Sequence, residues 1–78
     1  MRIYEGAAEA LQELMEAGAL DASSLSAATK IDAGILRQIL SGRRKSISTR
    51  NILALSRFFG LSMQEMMDKL ADTEDKGE

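Results

Sequence analysis

Apolar residues recur every three or four positions along most of this chain, and glycines separate the resulting segments. Such spacing predicts amphipathic helices that end at glycine caps. The first predicted helix ends at Gly18, and we expect Leu20 behind it to fill the core beside that helix. Its apolar positions are Ile3, Ala7, Ala10, Leu11 and Leu14.

Two short helices are predicted between Asp21 and Gly42. Asp21 is the expected N-cap of the first helix, in which Leu25 and Ala28 share one face. Asp32 is a cap candidate for the second helix, and Gly42 supplies the left-handed residue that ends it. The apolar stripe of the second helix consists of Ile31, Leu36, Ile39 and Leu40. Both helices are therefore amphipathic, short and firmly ended.

The connection between these two helices is the tripeptide Thr29-Lys30-Ile31. It is too short for side-by-side packing of antiparallel helices, so we expect the helices to cross at a steep angle, as in a helix-turn-helix. Ser26 is small enough for another helix to pack closely against the first one. The outward face of the second helix then consists of Ala33, Gly34, Ile35, Arg37, Gln38 and Ser41.

Two further helices are predicted after the basic tripeptide 43–45. Ser48 is the expected N-cap of a helix from about Thr49 to Phe59, and Gly60 ends it. Ser62 and Glu65 form a capping-box pair at the start of the last helix. The inward positions of the two helices are Ile52, Leu55 and Phe59, followed by Met63, Met66, Met67 and Leu70.

Composition favours helices and a single small domain. The 78 residues include no cysteine, histidine, proline or tryptophan, so packing has to supply the stability. We predict an all-α fold, a compact five-helix bundle over residues 1–71, with a disordered acidic tail at 72–78. No apolar run approaches the roughly 20 residues that a bilayer span requires, and Glu5 and Glu9 stand where a signal peptide would be apolar. A cytoplasmic protein without a membrane partner is expected.

The residue types argue against an enzyme. Metal ligation by nitrogen or sulfur side chains is excluded without histidine or cysteine, and the chain has no calcium-loop pattern. The acidic stripe Glu5, Glu9, Glu13 and Glu16 is expected to face solvent, with a docking face for a basic partner as the alternative. We therefore expect no catalytic residues, no metal and no cofactor.

Charge is distributed very unevenly. The chain as a whole carries a net charge of −2, but residues 30–57 contain seven basic residues against one acidic residue, a net charge of +6. The segments on either side each carry a net charge of −4. Because the Debye length is near 8 Å at physiological salt, a nucleic-acid backbone touching residues 30–57 would respond mainly to the local charge. The overall charge of −2 therefore does not exclude DNA as a partner.

Several of these features resemble the lambda-repressor-like helix-turn-helix family, the Cro and Xre type of bacterial and phage regulators. The resemblance covers roughly residues 7–70 and is carried by Leu25-Ser26, by Ile31 after the turn, by Leu36, Ile39 and Gly42, and by the segment 52–62. The family usually has Ala where this chain has Ser26, and Gly where it has Lys30. A Lys in a left-handed turn costs about 1 kcal/mol.

The resemblance implies a sequence-specific DNA-binding transcriptional regulator, a repressor that binds an inverted-repeat operator as a homodimer. In the major groove, Arg37 suits the acceptor edge of guanine and Gln38 suits adenine. Ala33 and Gly34 would permit a close backbone approach, or else the helix starts late or frays. Ile35 is either half-buried or in contact with a thymine methyl group.

Further residues are assigned to the DNA backbone and to a second copy of the chain. The phosphate contacts are predicted to be Lys30, Ser41, Arg43, Arg44, Lys45, Arg50 and Asn51. The basic tripeptide 43–45 has an alternative as a merely solvated loop. Arg50 and Asn51 lie near the start of the fourth helix, where free N–H groups favour a phosphate. The dimer interface is predicted at Phe58, Leu61, Met63 and Met67.

Two alternatives remain open at this level. One is a DNA binder in a larger system, an antitoxin or a phage or restriction-modification controller, with the acidic tail as a docking segment for a toxin or another regulator. The other is a protein-interaction adaptor that keeps the fold without binding DNA and uses the acidic first helix or the Met-rich last helix.

Overall fold

A computed structural model describes residues 2–71 of the chain, and these residues form five α-helices and one short antiparallel strand pair. The helices are α1 (Ala7–Ala17), α2 (Ala22–Thr29), α3 (Ala33–Leu40), α4 (Thr49–Phe59) and α5 (Met63–Ala71), and the strands are β1 (Arg2–Ile3) and β2 (Ser46–Ile47). The predicted all-helical class with five helices is confirmed. The predicted acidic tail lies outside the described residues.

One hydrophobic core joins all five helices. Helix α1 packs against α3 and α5, α2 packs against α3 and α4, and α4 packs against α5. The largest fully buried apolar side chains are Leu11, Leu25, Leu36, Ile39, Ile52, Leu55, Met66 and Leu70. Within residues 2–71, none of the helices has both the length and the apolar character that a membrane crossing requires.

The predicted ends of α4 and α5 are confirmed. The Asn51 N–H donates to Ser48 Oγ at 3.2 Å, and Gly60 ends α4 in the left-handed conformation with φ 72°. At α5, the Ser62 N–H donates to Glu65 Oε1 at 2.9 Å, and the Glu65 N–H donates to Ser62 Oγ at 3.0 Å. This reciprocal pair is a capping box, which satisfies N–H groups that a helix start leaves open.

Helix α1 ends where predicted, but by a different device. Gly18 follows the last helical residue with φ −100°, and it is Ala19 that takes the left-handed conformation with φ 54°. A Cβ on Gly18 would lie 3.2 Å from Leu20 Cδ1, so Gly18 makes room for the side chain that packs against the core. Leu20 therefore has its predicted role.

The turn between α2 and α3 is held by hydrogen bonds on both sides. Lys30 is left-handed with φ 67°, and its N–H donates to the Ser26 carbonyl at 2.8 Å. Buried Thr29 donates through Oγ1 to the Leu25 carbonyl at 2.7 Å and accepts the Ile31 N–H at 3.3 Å, while Ser26 Oγ donates to the Ile31 carbonyl. These bonds offset the cost of about 1 kcal/mol for a left-handed non-glycine residue.

Two details of these short helices differ from what the sequence predicted. Ala28 is exposed, and the residue that is buried with Leu25 is Thr29, whose hydroxyl is satisfied by the Leu25 carbonyl. Asp32 occupies the N-cap position of α3, as predicted, but its carboxylate accepts no N–H of the helix. Its Oδ2 instead lies over Gly34, 3.0 Å from the position that a Cβ on that glycine would occupy.

The strand pair was not predicted and moves Ile3 out of α1. Strand β1 pairs antiparallel with β2, with Arg2 opposite Ile47 and Ile3 opposite Ser46. The Tyr4 N–H then donates to the Lys45 carbonyl at 2.7 Å. Ile3 is consequently 60% exposed, and the assignment of this residue to the buried face of the first helix is wrong.

The predicted cap at Asp21 is confirmed, and it gives the fold a specific dependence on pH. The Ser24 N–H donates to Asp21 Oδ1 at 2.8 Å, and this bond, with the Ser24 hydroxyl, lowers the pKa of Asp21 below its ordinary value of 3.8. Because the pKa is lowered in the folded state, the cap stabilises the fold above pH 3.8 and this contribution is lost as the pH falls below it.

Asp21→Asn keeps an acceptor at the N-cap and removes the titrating group. We expect urea-unfolding free energies measured between about pH 5 and pH 2 to fall less steeply for this variant than for the natural chain. Glu13→Gln, at an exposed position of α1, removes one carboxyl elsewhere and serves as the control. Equal pH slopes for Asp21→Asn and the natural chain would contradict the expectation.

Candidate nucleic-acid interface

Helix α3 turns one polar face outward. Arg37, Gln38 and Ser41 are exposed, whereas Ala33 and Gly34 are half-buried at the start of the helix. The helix begins at Ala33, so the alternative of a late start is wrong. Ile35 is half-buried and packs against the core, as one of its two alternatives predicted.

The chain after α3 folds back onto the last turn of that helix. The N–H groups of Arg43 and Arg44 donate to the Gln38 carbonyl at 3.0 and 3.1 Å, and Ser41 Oγ donates to the same oxygen at 3.1 Å. Gly42 makes the reversal possible with φ 83°, as predicted. Arg44 Nε also donates to Gln38 Oε1 at 2.9 Å. The basic tripeptide therefore begins as an ordered continuation of α3.

Two adjoining surface depressions lie along this continuation. The first has a volume of about 610 Å³ and is lined by Ile3, Gln38, Gly42, Arg43, Arg44, Lys45 and Ser46. The second has a volume of about 180 Å³ and is lined by Ile35, Ile39, Arg44, Ser46, Ile47, Ser48 and Asn51. Arg44 and Ser46 border both depressions, so α3, the loop 41–48 and the start of α4 form one continuous surface.

The N-terminus of α4 opens onto the same surface. Ser48 caps the helix, Arg50 is exposed in its first turn, and Asn51 is half-buried at the edge of the second depression. The first N–H groups of a helix lack intrahelical partners and carry partial positive charge. An anion at this point would meet those N–H groups, and Arg50 supplies a basic side chain in the same helical turn.

Basic side chains lie at both ends of α3. Lys30 is exposed in the turn before the helix, and Arg43 is exposed in the loop after it. Lys45 Nζ lies 3.2 Å from Glu5 Oε1 with both side chains about half exposed, and an exposed pair of this kind contributes about 0 to 1 kcal/mol. A stronger anion could therefore displace Glu5.

The acidic stripe is exposed at all four positions, as predicted. Glu5 precedes α1 and contacts the basic loop, whereas the other three are residues of α1.

The structure adds Ile3 and Ser46 to the surface that the sequence predicted. Both line the first depression because β1 and β2 place the N-terminal segment beside the loop. Strands of two residues carry no readable alternation of apolar and polar positions. No sequence signal therefore pointed to either residue.

The residues of the predicted dimer interface lie at the end of α4, in the connection to α5 and on α5 itself. Phe58 is 39% exposed, and its ring packs edge to face against Phe59 with centroids 5.0 Å apart. Leu61, Met63 and Met67 are half-buried and pack against the core. Part of each predicted contact is thus already used within one copy of the chain.

Gly34 was predicted to lie on the outward face of α3, and its contribution to the stability of the fold can be measured without DNA. Alanine is favoured over glycine within helices by about 0.5 to 1 kcal/mol, and the new methyl group would displace only the far end of the exposed Asp32 side chain. We expect Gly34→Ala to raise the free energy of unfolding by about 0.5 kcal/mol, because first-turn positions gain least. Ala33→Gly is the matched reversal and should destabilise the fold by a similar amount.

Urea unfolding at neutral pH measures both variants. A Gly34→Ala protein that is less stable than the natural chain would show that the position of the Asp32 carboxylate over the glycine matters to the fold.

No protein-family model matches the chain, and no match is found among curated proteins or solved structures. Among the described residues, no group of three or more acidic side chains is placed to hold a metal ion.

Proposed function

We propose that this protein binds double-stranded DNA and regulates transcription, with α2 and α3 as a helix-turn-helix and α3 as the helix that reads the bases. The observation that supports the proposal most directly is the continuous surface formed by α3, the loop 41–48 and the start of α4. That surface belongs to residues 30–57, which carry a net charge of +6 in a chain whose total is −2.

The size and support of α3 suit the major groove. An α-helix with its side chains is about 10 to 12 Å in diameter, and the major groove is about 12 Å wide, so the groove admits α3 lying along it. The helix is supported on its inner side, since it packs against α1 and α2 and its residues Leu36 and Ile39 are fully buried. Arg37 and Gln38 are the exposed side chains with enough reach and polarity to contact base edges.

Phosphate contacts would flank the reading helix. Lys30 would contact a phosphate at the N-terminal end of α3. Arg43 and Lys45 would contact phosphates at its C-terminal end. Arg50 and the open N–H groups of α4 would hold a further phosphate, with Asn51 beside them. Ser41 adds a hydroxyl close to the loop.

We also propose that two copies bind one operator, since a two-fold protein matches an inverted repeat. The contact would involve the partly exposed apolar residues at the end of α4 and on α5, with Phe58 as the most exposed. A regulator of this kind acts as a repressor when its operator overlaps a promoter. It would work where its DNA lies, which for the regulators that the chain resembles is the cytoplasm.

The first test is selection from a pool of random-sequence duplexes at about 150 mM salt, close to physiological ionic strength. An enriched inverted repeat with half-sites about one helical turn apart is the expected result. Retention of duplexes without enrichment would contradict sequence-specific binding. No retention at all would contradict DNA binding and would favour the protein-interaction adaptor.

The proposed dimer has its own test in two exposed residues of α4. Phe58 and Leu53 are exposed to similar extents, 39% and 37%, but Phe58 alone belongs to the proposed contact. We expect Phe58→Ser to weaken dimerisation by about tenfold or more in a light-scattering concentration series, since buried aromatic residues dominate interfaces. Leu53→Ser is the control. A monomer mass for the natural chain at tens of micromolar, with and without DNA, would remove the dimer from the proposal.

A further inference from the structure

Arg44 contacts Gln38 through both its backbone and its side chain. Its N–H donates to the Gln38 carbonyl at 3.1 Å, and its Nε donates to Gln38 Oε1 at 2.9 Å. The side chain is half-buried and borders both surface depressions, whereas that of neighbouring Arg43 is exposed. Arg44 is therefore placed differently from the phosphate contact that the sequence predicted beside Arg43.

The chemistry of this contact fixes the orientation of the Gln38 amide. An arginine side chain donates hydrogen bonds and accepts none, so the amide oxygen of Gln38 has to face Arg44. The Nε2 group, with its two N–H donors, then points away from Arg44. The guanidinium has four further N–H donors of its own. Together the two side chains offer hydrogen-bond donors at one edge of α3.

A donor-rich pair selects a base edge that is rich in acceptors. In the major groove guanine presents two acceptors, N7 and O6, whereas adenine presents the acceptor N7 beside a donor at N6. The paired contact of glutamine with adenine uses the amide oxygen as well as the amide nitrogen. In this protein one of the two lone pairs of that oxygen already accepts from Arg44, and the oxygen faces Arg44, so it is less available to the N6 donor of adenine.

We propose that Arg44 holds the Gln38 amide with its NH₂ group outward, and that the donors of the two side chains together select guanine at one base pair of each half-site. This inference rests on the proposed function, in which α3 enters the major groove. It differs from the sequence-based expectation in two respects. Arg44 acts on base selection instead of holding a phosphate, and Gln38 reads guanine instead of adenine.

Arg44→Lys is the variant that tests the inference. Lysine keeps the positive charge but has a methylene group at the position of Nε, which removes the donor that holds Gln38. Arg43→Lys is the matched control, because it makes the same change at the exposed neighbour. Gln38→Ala identifies the base pair concerned, as the position whose preference it relaxes.

We expect the following results from selection and competition binding with these variants. The natural chain should select guanine at the position identified by Gln38→Ala. Arg44→Lys should lower the preference for guanine over adenine there by about tenfold, within the range for a paired base contact. Arg43→Lys should leave that preference unchanged, and the salt dependence should be the same for both lysine variants.

A measurement on the free protein tests the contact without DNA. The Nε–H signal of Arg44 in a proton–nitrogen NMR spectrum should exchange with water more slowly than that of Arg43. Gln38→Ala should abolish the difference. Equal exchange of the two signals in the natural chain would overturn the positioning role.

The remaining outcomes separate this inference from the proposed function. Selection of adenine at the Gln38 position would overturn the inference while leaving DNA binding intact. An unchanged preference in Arg44→Lys would do the same. Failure to retain any duplex would overturn the proposed function and base selection with it, and the NMR signals would still show whether Arg44 holds Gln38.

Discussion

DNA binding is expected to weaken by about 10³- to 10⁴-fold when the salt concentration rises from about 50 to about 200 mM. A dimer that contacts about six to eight phosphates releases a counterion at most of them, which gives a slope of log affinity against log salt near −5 to −7. Each copy would supply its share from Lys30, Arg43, Lys45 and Arg50, the basic side chains that lie exposed around α3 and at the start of α4. Fluorescence anisotropy with a labelled duplex measures the slope.

Arg43→Gln identifies the source of this salt dependence. The variant removes two charges from a dimer and should make the slope shallower by about 2, with equal weakening on every sequence. Lys69→Gln removes the same charge from an exposed position of α5, outside the proposed surface, and should leave the slope unchanged. A slope near zero for the natural chain, or equal changes in the two variants, would contradict the proposed placement of DNA.

The second half of the fold could be predicted closely because its signals are local. Ser48 bonds to Asn51, and Ser62 exchanges hydrogen bonds with Glu65, so each cap is contained within four consecutive residues. Gly60 adds a left-handed end that glycine adopts without a steric penalty. The bounds of α4 follow from these residues alone.

The first few residues could not be predicted because their conformation depends on distant partners. Ile3 continues the apolar spacing of α1, yet it pairs with Ser46 from the other half of the chain. Cross-strand pairing of this kind is decided by tertiary packing, which overrides the local helical pattern. Asp32 shows that a cap, too, can depend on more than the residue type. It occupies the predicted N-cap position, but its carboxylate lies over Gly34 and does not cap the helix.

Some features of the candidate site could also be predicted from the sequence, and others could not. Its charge could be predicted from the basic residues between 30 and 57, and its exposed face from the apolar stripe of α3. The bond between Arg44 and Gln38 could not, because it depends on the path of the chain after Gly42. Charge is a property of composition, whereas the orientation of one amide group depends on a single contact.

The fold itself should be most sensitive to Leu55→Ala. Leu55 lies on α4, which packs against both α2 and α5, and its exposed fraction is 0%. Truncating a fully buried leucine costs about 2 to 5 kcal/mol, through lost apolar burial and the cavity left behind. A loss of about 3 kcal/mol lowers the melting temperature of a domain this small by about 15 °C.

Leu53→Ala is the control for this substitution because it makes the same truncation two residues earlier on the same helix. Leu53 is 37% exposed, so the variant loses less burial and leaves no enclosed cavity. Its cost should stay below about 1 kcal/mol. Thermal unfolding followed by circular dichroism measures both variants. Similar melting temperatures for the two would contradict the core described here, since the side of α4 that faces α2 and α5 would then contribute no more than the side that faces solvent.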